Sequence, residues 1–294
     1  MQVAGTAIAA SPARISDFVE LTKPRITFLV LVTTAVGYAL AVGPSFHSAV
    51  FLSLLVGTAF VSGGASALNQ WAERDADARM ARTRSRPLPS GRLAPTDALA
   101  FGLAISGVGI ALLAGSVNGL TALLAAVSLA SYVLVYTPLK RVTSLCTLVG
   151  AVPGAIPPMM GWAAARGTLG REAWALFAVL FLWQLPHFLS IAWIYRDDYA
   201  RGGFPMLPVT DPDGKSTARQ TVAYAAALIP VTLAAGAFAA AGPGYLWSAL
   251  GLGAVFVGCS VVFAVKRSVQ AARIVFLVSV LYLPALLGLM VLDR

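Results

Sequence analysis

The stretch that decides the fold is "SAVFLSLLVGTAFVSGGASALNQWAERDADARMARTRSRP", residues 48–87, in which an apolar run leads without a break into a dense block of charge. An α-helix needs about 20 apolar residues to cross a bilayer core, and residues 48–69 supply them. Residues 73–86 then hold three acids and five arginines, although only 11% of the chain is charged. The stretch therefore predicts a transmembrane helix that ends in a polar site.

The composition of the whole chain is typical of a membrane protein. Its 294 residues are 58% hydrophobic with a mean hydropathy of +0.80, which leaves too few polar side chains to cover a soluble globule of this length. In lipid every backbone N–H and C=O group must be hydrogen-bonded within the protein, and a helix does this within one segment. We therefore expect an all-α, polytopic bundle of transmembrane helices.

Nine windows of bilayer-crossing length fit the chain, which predicts one membrane domain over residues 26–292 behind an N-terminal segment of residues 1–25. The predicted spans are residues 26–44, 48–69, 97–116, 119–137, 143–164, 173–195, 220–241, 244–265 and 273–292. Two of the connections are long and polar, residues 70–96 and 196–219. Long loops on a compact bundle tend to carry function, so we expect the active site there.

The basic residues lie almost entirely on one side of this topology. Of the 21 lysines and arginines, 18 fall in the N-terminal segment and the connections on that side, which the positive-inside rule assigns to the cytoplasm. The N-terminus is then cytoplasmic and the C-terminus outside. The net charge of +9 follows from this topology, so we expect no nucleic-acid partner. The first twenty residues resemble no signal or transit peptide, which favours a bacterial inner (plasma) membrane with the active site toward the cytoplasm.

Three oxygen-bearing residues share one helical face at the end of the second span. Asn69, Glu73 and Asp77 are spaced i, i+4, i+8, so at about 100° per residue they fall within a stripe of about 80°. Mg²⁺ favours a few such oxygen ligands together with phosphate oxygens of a substrate, and Arg82 and Arg86 can donate to the same phosphates. The alternative is a solvated helix with local ion pairs, which would not need its oxygens on one stripe.

A second polar cluster lies in "WQLPHFLSIAWIYRDDYARGGFPMLP", residues 183–208. His187 is predicted at membrane depth, where an ionisable side chain is a functional candidate. Asp198 follows eleven residues later, which on a continuous helix is about 1100°, so the two side chains would align within roughly 20° and lie about 16 Å apart. The alternative for His187 is a core histidine bonded to a neighbouring helix.

Two further motifs lie between these clusters. "YTPLKR", residues 136–141, places Lys140 and Arg141 at the same membrane face as the stripe. "VGAVPGAIPPMMGW", residues 149–162, has glycines in small-xxx-small spacing and three prolines, which predicts close helix packing and a bent helix that lines a cavity.

A Mg²⁺ ion and arginines around a diphosphate would stabilise the charge that develops on the leaving group. The carbon left behind would be an allylic cation, which aromatic faces such as Trp183, Phe188, Trp193 or Tyr195 could stabilise. A substrate of this kind carries a long apolar tail that suits the interior of the bundle. The pattern therefore indicates prenyl transfer within a membrane.

These motifs also resemble a known family, the UbiA-type intramembrane prenyltransferases, in which the stripe matches the first aspartate-rich motif. Five motifs are similar to one branch, the protoheme IX farnesyltransferases or heme O synthases, and they cover nearly all nine spans in order: "LTKPRIT", "NQWAERDADARMARTRSRPLPSGR", "YTPLKR", "GAVPGAIPPMMGW" and "WQLPHFLSIAWIYRDDYARGGFPMLPV". Quinone-type members would have an aspartate at position 70, where this chain has Gln70. One departure is Cys146, where an asparagine is expected in this branch.

The resemblance implies transfer of a farnesyl group from farnesyl diphosphate to a vinyl group of heme B, with addition of water, to make heme O for respiratory terminal oxidase assembly. The implied metal ligands for Mg²⁺ are Asn69, Glu73, Asp77 and Asp198; the diphosphate contacts are Lys23, Arg25, Arg82, Arg86, Lys140 and Arg141; and the catalytic residues are Asp77, His187, Asp198 and Tyr199. The implied partners are heme B, farnesyl diphosphate, the lipid bilayer and a downstream heme-modifying enzyme or oxidase assembly factor.

Two alternatives stay open on the sequence. A UbiA-type enzyme acting on an aromatic quinone precursor would share the donor site. A secondary transporter would share broken helices and a buried histidine, but it predicts ionisable groups near the midplane of several spans. Here nearly all acids cluster at one face. A CDP-alcohol phosphotransferase would need a denser aspartate–glycine–arginine signature than "DADARMAR" provides.

Overall fold

The computed structural model describes residues 14–43 and 46–293, which form helices joined by turns and contain no strand. The fourteen helices, in chain order, are α1 (Ile15–Leu21), α2 (Pro24–Ala41), α3 (Ser48–Asp77), α4 (Pro95–Ser116), α5 (Gly119–Ala130), α6 (Thr137–Leu139), α7 (Cys146–Ala155), α8 (Pro157–Arg166), α9 (Arg171–Ile194), α10 (Arg196–Gly202), α11 (Leu207–Thr210), α12 (Lys215–Phe238), α13 (Pro243–Lys266) and α14 (Val269–Leu292). A π-helical segment, Ser131–Tyr136, joins α5 to α6.

Nine segments within the described residues are long and apolar enough to cross a membrane. Seven are single helices, whereas the fourth span joins α5, the π-helical segment and α6, and the fifth joins α7 and α8. The predicted all-α bundle with nine spans is therefore confirmed. The second span runs on as an unbroken helix to Asp77, so the whole oxygen stripe is helical as its spacing requires.

The fifth span is bent and deeply buried, as its prolines and glycines predict. The helix is interrupted at Ile156, directly before two prolines that cannot donate backbone hydrogen bonds. Its glycines lie where neighbours approach closely: a side chain at Gly154 would collide with Gln184, and one at Gly161 with the carbonyl oxygen of Thr34. The predicted close packing is thus confirmed.

We expect Gly161→Val to lower stability by about 1–3 kcal/mol, because overpacking forces the backbones of α2 and α8 apart. Gly115→Ala is the matched control, since a methyl group there meets open space. Thermal unfolding of both variants in one detergent tests this. Equal Tm values for the two variants would contradict the tight α2–α8 contact.

One local prediction is wrong. His187 and Asp198 do not share a continuous helix, because α9 ends at Ile194 and α10 begins at Arg196. The intervening Tyr195 has φ −110° and ψ 24°, which turns the chain out of the helical path. The alignment computed from helical spacing therefore does not hold.

The connections meet at two ends of the bundle. At one end, the segment after α3 packs against the segment after α9, and Arg267 between α13 and α14 donates to the carbonyl oxygen of Asp213. At the other end, Asp293 accepts from the N–H of Tyr245 and Asn118 donates to the carbonyl oxygen of Ala163. The two long loops therefore lie together at the same end, next to the oxygen stripe.

Candidate active site

The oxygen stripe forms a buried row along the last turns of α3. Asn69, Glu73 and Asp77 are exposed by 3%, 2% and 0%. Charged groups at such depth are stable only when they are paired or hydrogen-bonded. Each member of the row faces one cationic side chain from a different segment of the chain, and these pairs define the site.

The pairs lie at hydrogen-bond distance. Lys23 Nζ is 3.3 Å from Asn69 Oδ1. Lys140 Nζ lies 3.2 Å and 3.0 Å from the two carboxylate oxygens of Glu73, and Arg86 Nη1 lies 2.7 Å from Asp77 Oδ2. Three positive charges from three segments therefore converge on three oxygen-bearing side chains, which is the charge pattern that a metal–diphosphate complex requires.

The amide of Asn69 is held in one orientation. Its Nδ2 donates to Thr137 Oγ1 at 3.1 Å, and Thr137 Oγ1 itself donates to the carbonyl oxygen of Tyr132. The π-helical segment precedes Thr137 and places it there, an irregularity that is frequent at functional sites. The carbonyl oxygen of Asn69 is thereby directed toward the cations.

Lys23 is brought to the row by the junction of α1 and α2. Its backbone is left-handed, with φ 47°, and the adjoining turn is held by Gln70, whose Nε2 donates to the carbonyl oxygen of Leu21 at 2.8 Å. Burial, reinforced by the nearby cation of Arg86, lowers the pKa of Lys23 to about 7. The ammonium therefore sits where it needs a negative neighbour to remain charged.

Lys140 sits in an aromatic surround at the end of α6. Its ammonium lies 4.4 Å from the ring centroid of Phe204 and 5.7 Å from that of Tyr199. Burial acts to lower the pKa of Lys140, but the carboxylate of Glu73 outweighs it and raises the pKa. Lys140 is thus held as a cation in contact with aromatic faces, which favour positive charge.

Asp77 has spare capacity to bind a cation. Its Oδ2 accepts from Arg86, whereas its Oδ1 is buried without a hydrogen-bond partner among the described residues. A buried carboxylate oxygen with nothing bound is costly, which suits a ligand that supplies positive charge. The described residues contain no cluster of three His, Cys, Asp or Glu side chains for a metal. Mg²⁺ needs only one or two carboxylates when a substrate phosphate joins it, so this row fits the ion.

Arg82 lies over the second cluster. Its guanidinium is 4.8 Å from the ring centroid of Tyr195 and 5.7 Å from that of Tyr199, with the Tyr199 hydroxyl at 3.5 Å. The loop that carries Arg82 is tied to the same segment by Arg79, which donates to the carbonyl oxygen of Gly202. The structure therefore brings Arg82 and Lys140 onto the ring of Tyr199, so that both long loops contribute to one cluster.

Asp198 is not grouped with the other three predicted metal ligands. Its Oδ1 accepts from the N–H of Ala81 at 3.0 Å and from the guanidinium of Arg201. Burial opposes its ionisation, but these donors outweigh burial and lower its pKa. The carboxylate therefore anchors the loop directly before Arg82, and this arrangement does not support a metal-ligand role.

The remaining predicted residues lie outside the row. Arg25 is exposed, and the exposed Arg141 donates to the carbonyl oxygen of Ala72 on the outer side of α3. Cys146 is buried against the sulfur of Met206 at 3.7 Å, so its position serves apolar packing. His187 contacts α14 and none of the row.

Sequence reasoning missed Thr137, Phe204 and the role of Gln70. Thr137 is the residue before the proline of "YTPLKR", and Phe204 is the aromatic residue of "GGFP", so both lie in motifs that were otherwise recognised. No spacing rule assigns them, because they reach the site across more than 60 residues of chain.

Nine spans among the described residues, with a buried row of oxygen-bearing side chains and cations at one end, are what an intramembrane prenyltransferase requires, and comparison with known proteins assigns the chain to that class. The model of the UbiA prenyltransferase family matches residues 30–283, so the chain belongs to this family. It is 51% identical to the protoheme IX farnesyltransferase of Solibacter usitatus (strain Ellin6076) over 287 residues, which are 95% of this chain and 98% of the relative.

Solved structures share the fold. A digeranylgeranylglyceryl phosphate synthase matches with a TM-score of 0.80 at 15% identity, over 95% of this chain and 98% of that one. A UbiA homologue from Archaeoglobus fulgidus bound to DMAPP and Mg²⁺ matches with a TM-score of 0.65 at 14% identity, over 92% and 99%. The family and the fold together make this chain a multi-pass membrane protein.

Proposed function

We propose that this protein transfers the farnesyl group of farnesyl diphosphate to a vinyl group of heme B, with addition of water, and so makes heme O for terminal oxidase assembly. The observation that carries the proposal is the buried row in which Asn69, Glu73 and Asp77 each face a cation and one Asp77 oxygen has no partner. The relative named protoheme IX farnesyltransferase supports heme as the acceptor. The homologue bound to DMAPP and Mg²⁺ supports a prenyl diphosphate as the donor.

In this proposal Asn69, Glu73 and Asp77 hold Mg²⁺, which would offset the charge on the diphosphate. Thr137 keeps the amide oxygen of Asn69 turned toward the site. Asp198 acts indirectly: it accepts a hydrogen bond from the N–H of Ala81 and so positions the loop that carries Arg82.

The four cations nearest the row are Lys23, Lys140, Arg82 and Arg86, and we assign them to the diphosphate oxygens. They already lie on the oxygen row or over Tyr199, so they need only small side-chain movements to reach an anion there. Fixed positive charge aimed at a leaving group stabilises the transition state without reorganisation. Arg25 and Arg141 lie farther out and are assigned to the attraction of the anionic substrate.

The prenyl chain is assigned to the side of the row where Lys140 meets aromatic rings. A small cavity is lined by Phe188, Ile191 and Met206 and by the rings of Tyr136 and Tyr199. The same two tyrosine rings face the ammonium of Lys140. Their faces also suit the positive charge that develops on the farnesyl carbon as the diphosphate leaves.

The reaction balances with water as the third reactant. The farnesyl C–O bond breaks and its electron pair leaves with the diphosphate. The terminal vinyl carbon of heme B bonds to the farnesyl carbon. The water oxygen bonds to the inner vinyl carbon, and one water proton is released.

The active site is proposed to face the cytoplasm in a plasma membrane, with the N-terminus inside and the C-terminus outside. The basic loops support this, because 18 of the 21 basic residues belong to the end of the bundle that carries the oxygen row. Heme O made there would pass to a membrane-bound heme-modifying enzyme or oxidase assembly factor.

Purified protein given farnesyl diphosphate, Mg²⁺ and heme B is expected to form heme O and release diphosphate, and removal of Mg²⁺ by a chelator is expected to stop both. Mass spectrometry of the extracted heme gives the readout. Turnover of an aromatic quinone precursor in place of heme would reject heme B as the acceptor, although the protein would still be a prenyltransferase. Diphosphate release at full rate in excess chelator would contradict the proposed requirement for Mg²⁺.

A further inference from the structure

His187 lies apart from the oxygen row, on the face of α9 that contacts α14. We propose that His187 Nε2 is the axial ligand of the heme iron and anchors the porphyrin substrate. This inference rests on the proposed function, since it places the acceptor of that reaction.

The hydrogen bonds around His187 favour one tautomer. Ser279 Oγ donates to the carbonyl oxygen of Phe276 at 2.6 Å, which uses its only proton. With the Ser279 proton on that carbonyl, the 2.7 Å contact between His187 Nδ1 and Ser279 Oγ has Nδ1–H as its donor. Nε2 then carries a lone pair, and no described residue hydrogen-bonds to it.

This arrangement is the usual one for a metal-binding histidine. Such residues donate one ring N–H to a protein acceptor, which orients the ring and raises the basicity of the other nitrogen. Ser279 is itself fixed, because the indole N–H of Trp183 donates to its backbone carbonyl at 2.8 Å. A polar nitrogen without a partner at membrane depth is costly unless a ligand uses it.

The ring of His187 is also held by aromatic neighbours. Trp183 stacks on it with centroids 5.1 Å apart and an interplanar angle of 23°, and Phe276 lies at 5.2 Å. These contacts hold the imidazole ring in one orientation. No described Asp, Glu, Lys or Arg bonds to His187, so a proton relay has no second ionisable member here.

The position fits the rest of the reaction. Ile191 lies four residues after His187, about 6 Å along α9, and Phe188 follows His187 directly. Both line the cavity whose other wall is formed by Tyr136 and Tyr199, next to Lys140. A porphyrin anchored at His187 would therefore extend along α9 toward the diphosphate.

The test uses the fact that the chain has only two histidines. His47, exposed at the start of α3, is the matched control. In a His47→Ala protein made without a polyhistidine tag and labelled with ¹⁵N-histidine, His187 is the sole labelled side chain. Pulsed EPR with ferric heme should detect ¹⁵N coupling to the iron. Its absence in a protein that binds heme would overturn the ligation.

Affinity gives a second readout. His187→Ala should weaken heme binding by more than about 10-fold, and Ser279→Ala by about 10-fold, because loss of a supporting bond to a metal ligand costs that much. The wild type should bind zinc protoporphyrin more tightly than metal-free protoporphyrin, and His187→Ala should not discriminate. Equal affinities for the two porphyrins in the wild type would overturn the ligation. If the wild type makes heme O without ¹⁵N coupling, only this inference fails, whereas absence of heme O rejects the proposed function.

Discussion

Replacing Asp77 with asparagine is expected to lower kcat for diphosphate release by about 100- to 1,000-fold, which corresponds to about 3–4 kcal/mol of lost transition-state stabilisation. Asparagine removes the negative charge of this side chain. Its amide oxygen can still accept from Arg86, and its NH₂ group then takes the place of the unpaired Oδ1. The atom that faces the proposed Mg²⁺ site is then an N–H donor, which cannot bind a metal ion. Steady-state kinetics with saturating Mg²⁺ and farnesyl diphosphate measures the effect.

Fold and activity can be separated for this variant. The backbone carbonyl of Asp77 accepts from Thr83 Oγ1, and that bond is unaffected. Asp75→Asn is the matched control, because Asp75 lies two residues away, is 75% exposed in its side chain and pairs only loosely with Arg74 at 3.8 Å. The control should keep wild-type activity. Near-wild-type activity of Asp77→Asn would contradict the proposal that the oxygen row binds Mg²⁺ during the reaction.

The spans and the oxygen row were predictable because both depend on short-range rules. A bilayer imposes a length on each apolar run, and helical periodicity alone aligns Asn69 with Glu73 and Asp77. These rules hold whatever the neighbouring helices do.

The pairing of cations with oxygens could not be predicted. Lys23 reaches Asn69 across 46 residues of chain and Lys140 reaches Glu73 across 67, so each pair depends on how whole helices pack. The sequence offered six candidate cations, and only packing separates Lys140 from the adjacent Arg141, which points outward.

The break at Tyr195 had no sequence signal either. Neither glycine nor proline stands at residues 194–196, and the local sequence is compatible with a helix. The chain turns there because α10 must dock on the loop after α3, where Asp198 binds the N–H of Ala81. Tertiary contacts of this kind override local propensity.

The second large effect is expected at the pair formed by Glu73 and Lys140. Lys140→Met should lower stability by about 3–5 kcal/mol, because it leaves a buried carboxylate without its partner. The double variant Glu73→Gln with Lys140→Met should recover most of that loss, since no unpaired charge remains. The double variant should nevertheless be inactive, because the oxygen row has lost the carboxylate of Glu73 and the diphosphate has lost its contact with the ammonium of Lys140.

Thermal unfolding in one detergent, paired with diphosphate release, tests both parts. Arg141→Met is the control, since this exposed neighbour only donates to the carbonyl oxygen of Ala72 and its loss should change stability by less than about 0.5 kcal/mol. Wild-type stability of Lys140→Met would mean that Glu73 is not held as a buried ion. Activity in the double variant would mean that Glu73 is structural, because a glutamine cannot supply the negative charge that a Mg²⁺ ligand at this position contributes.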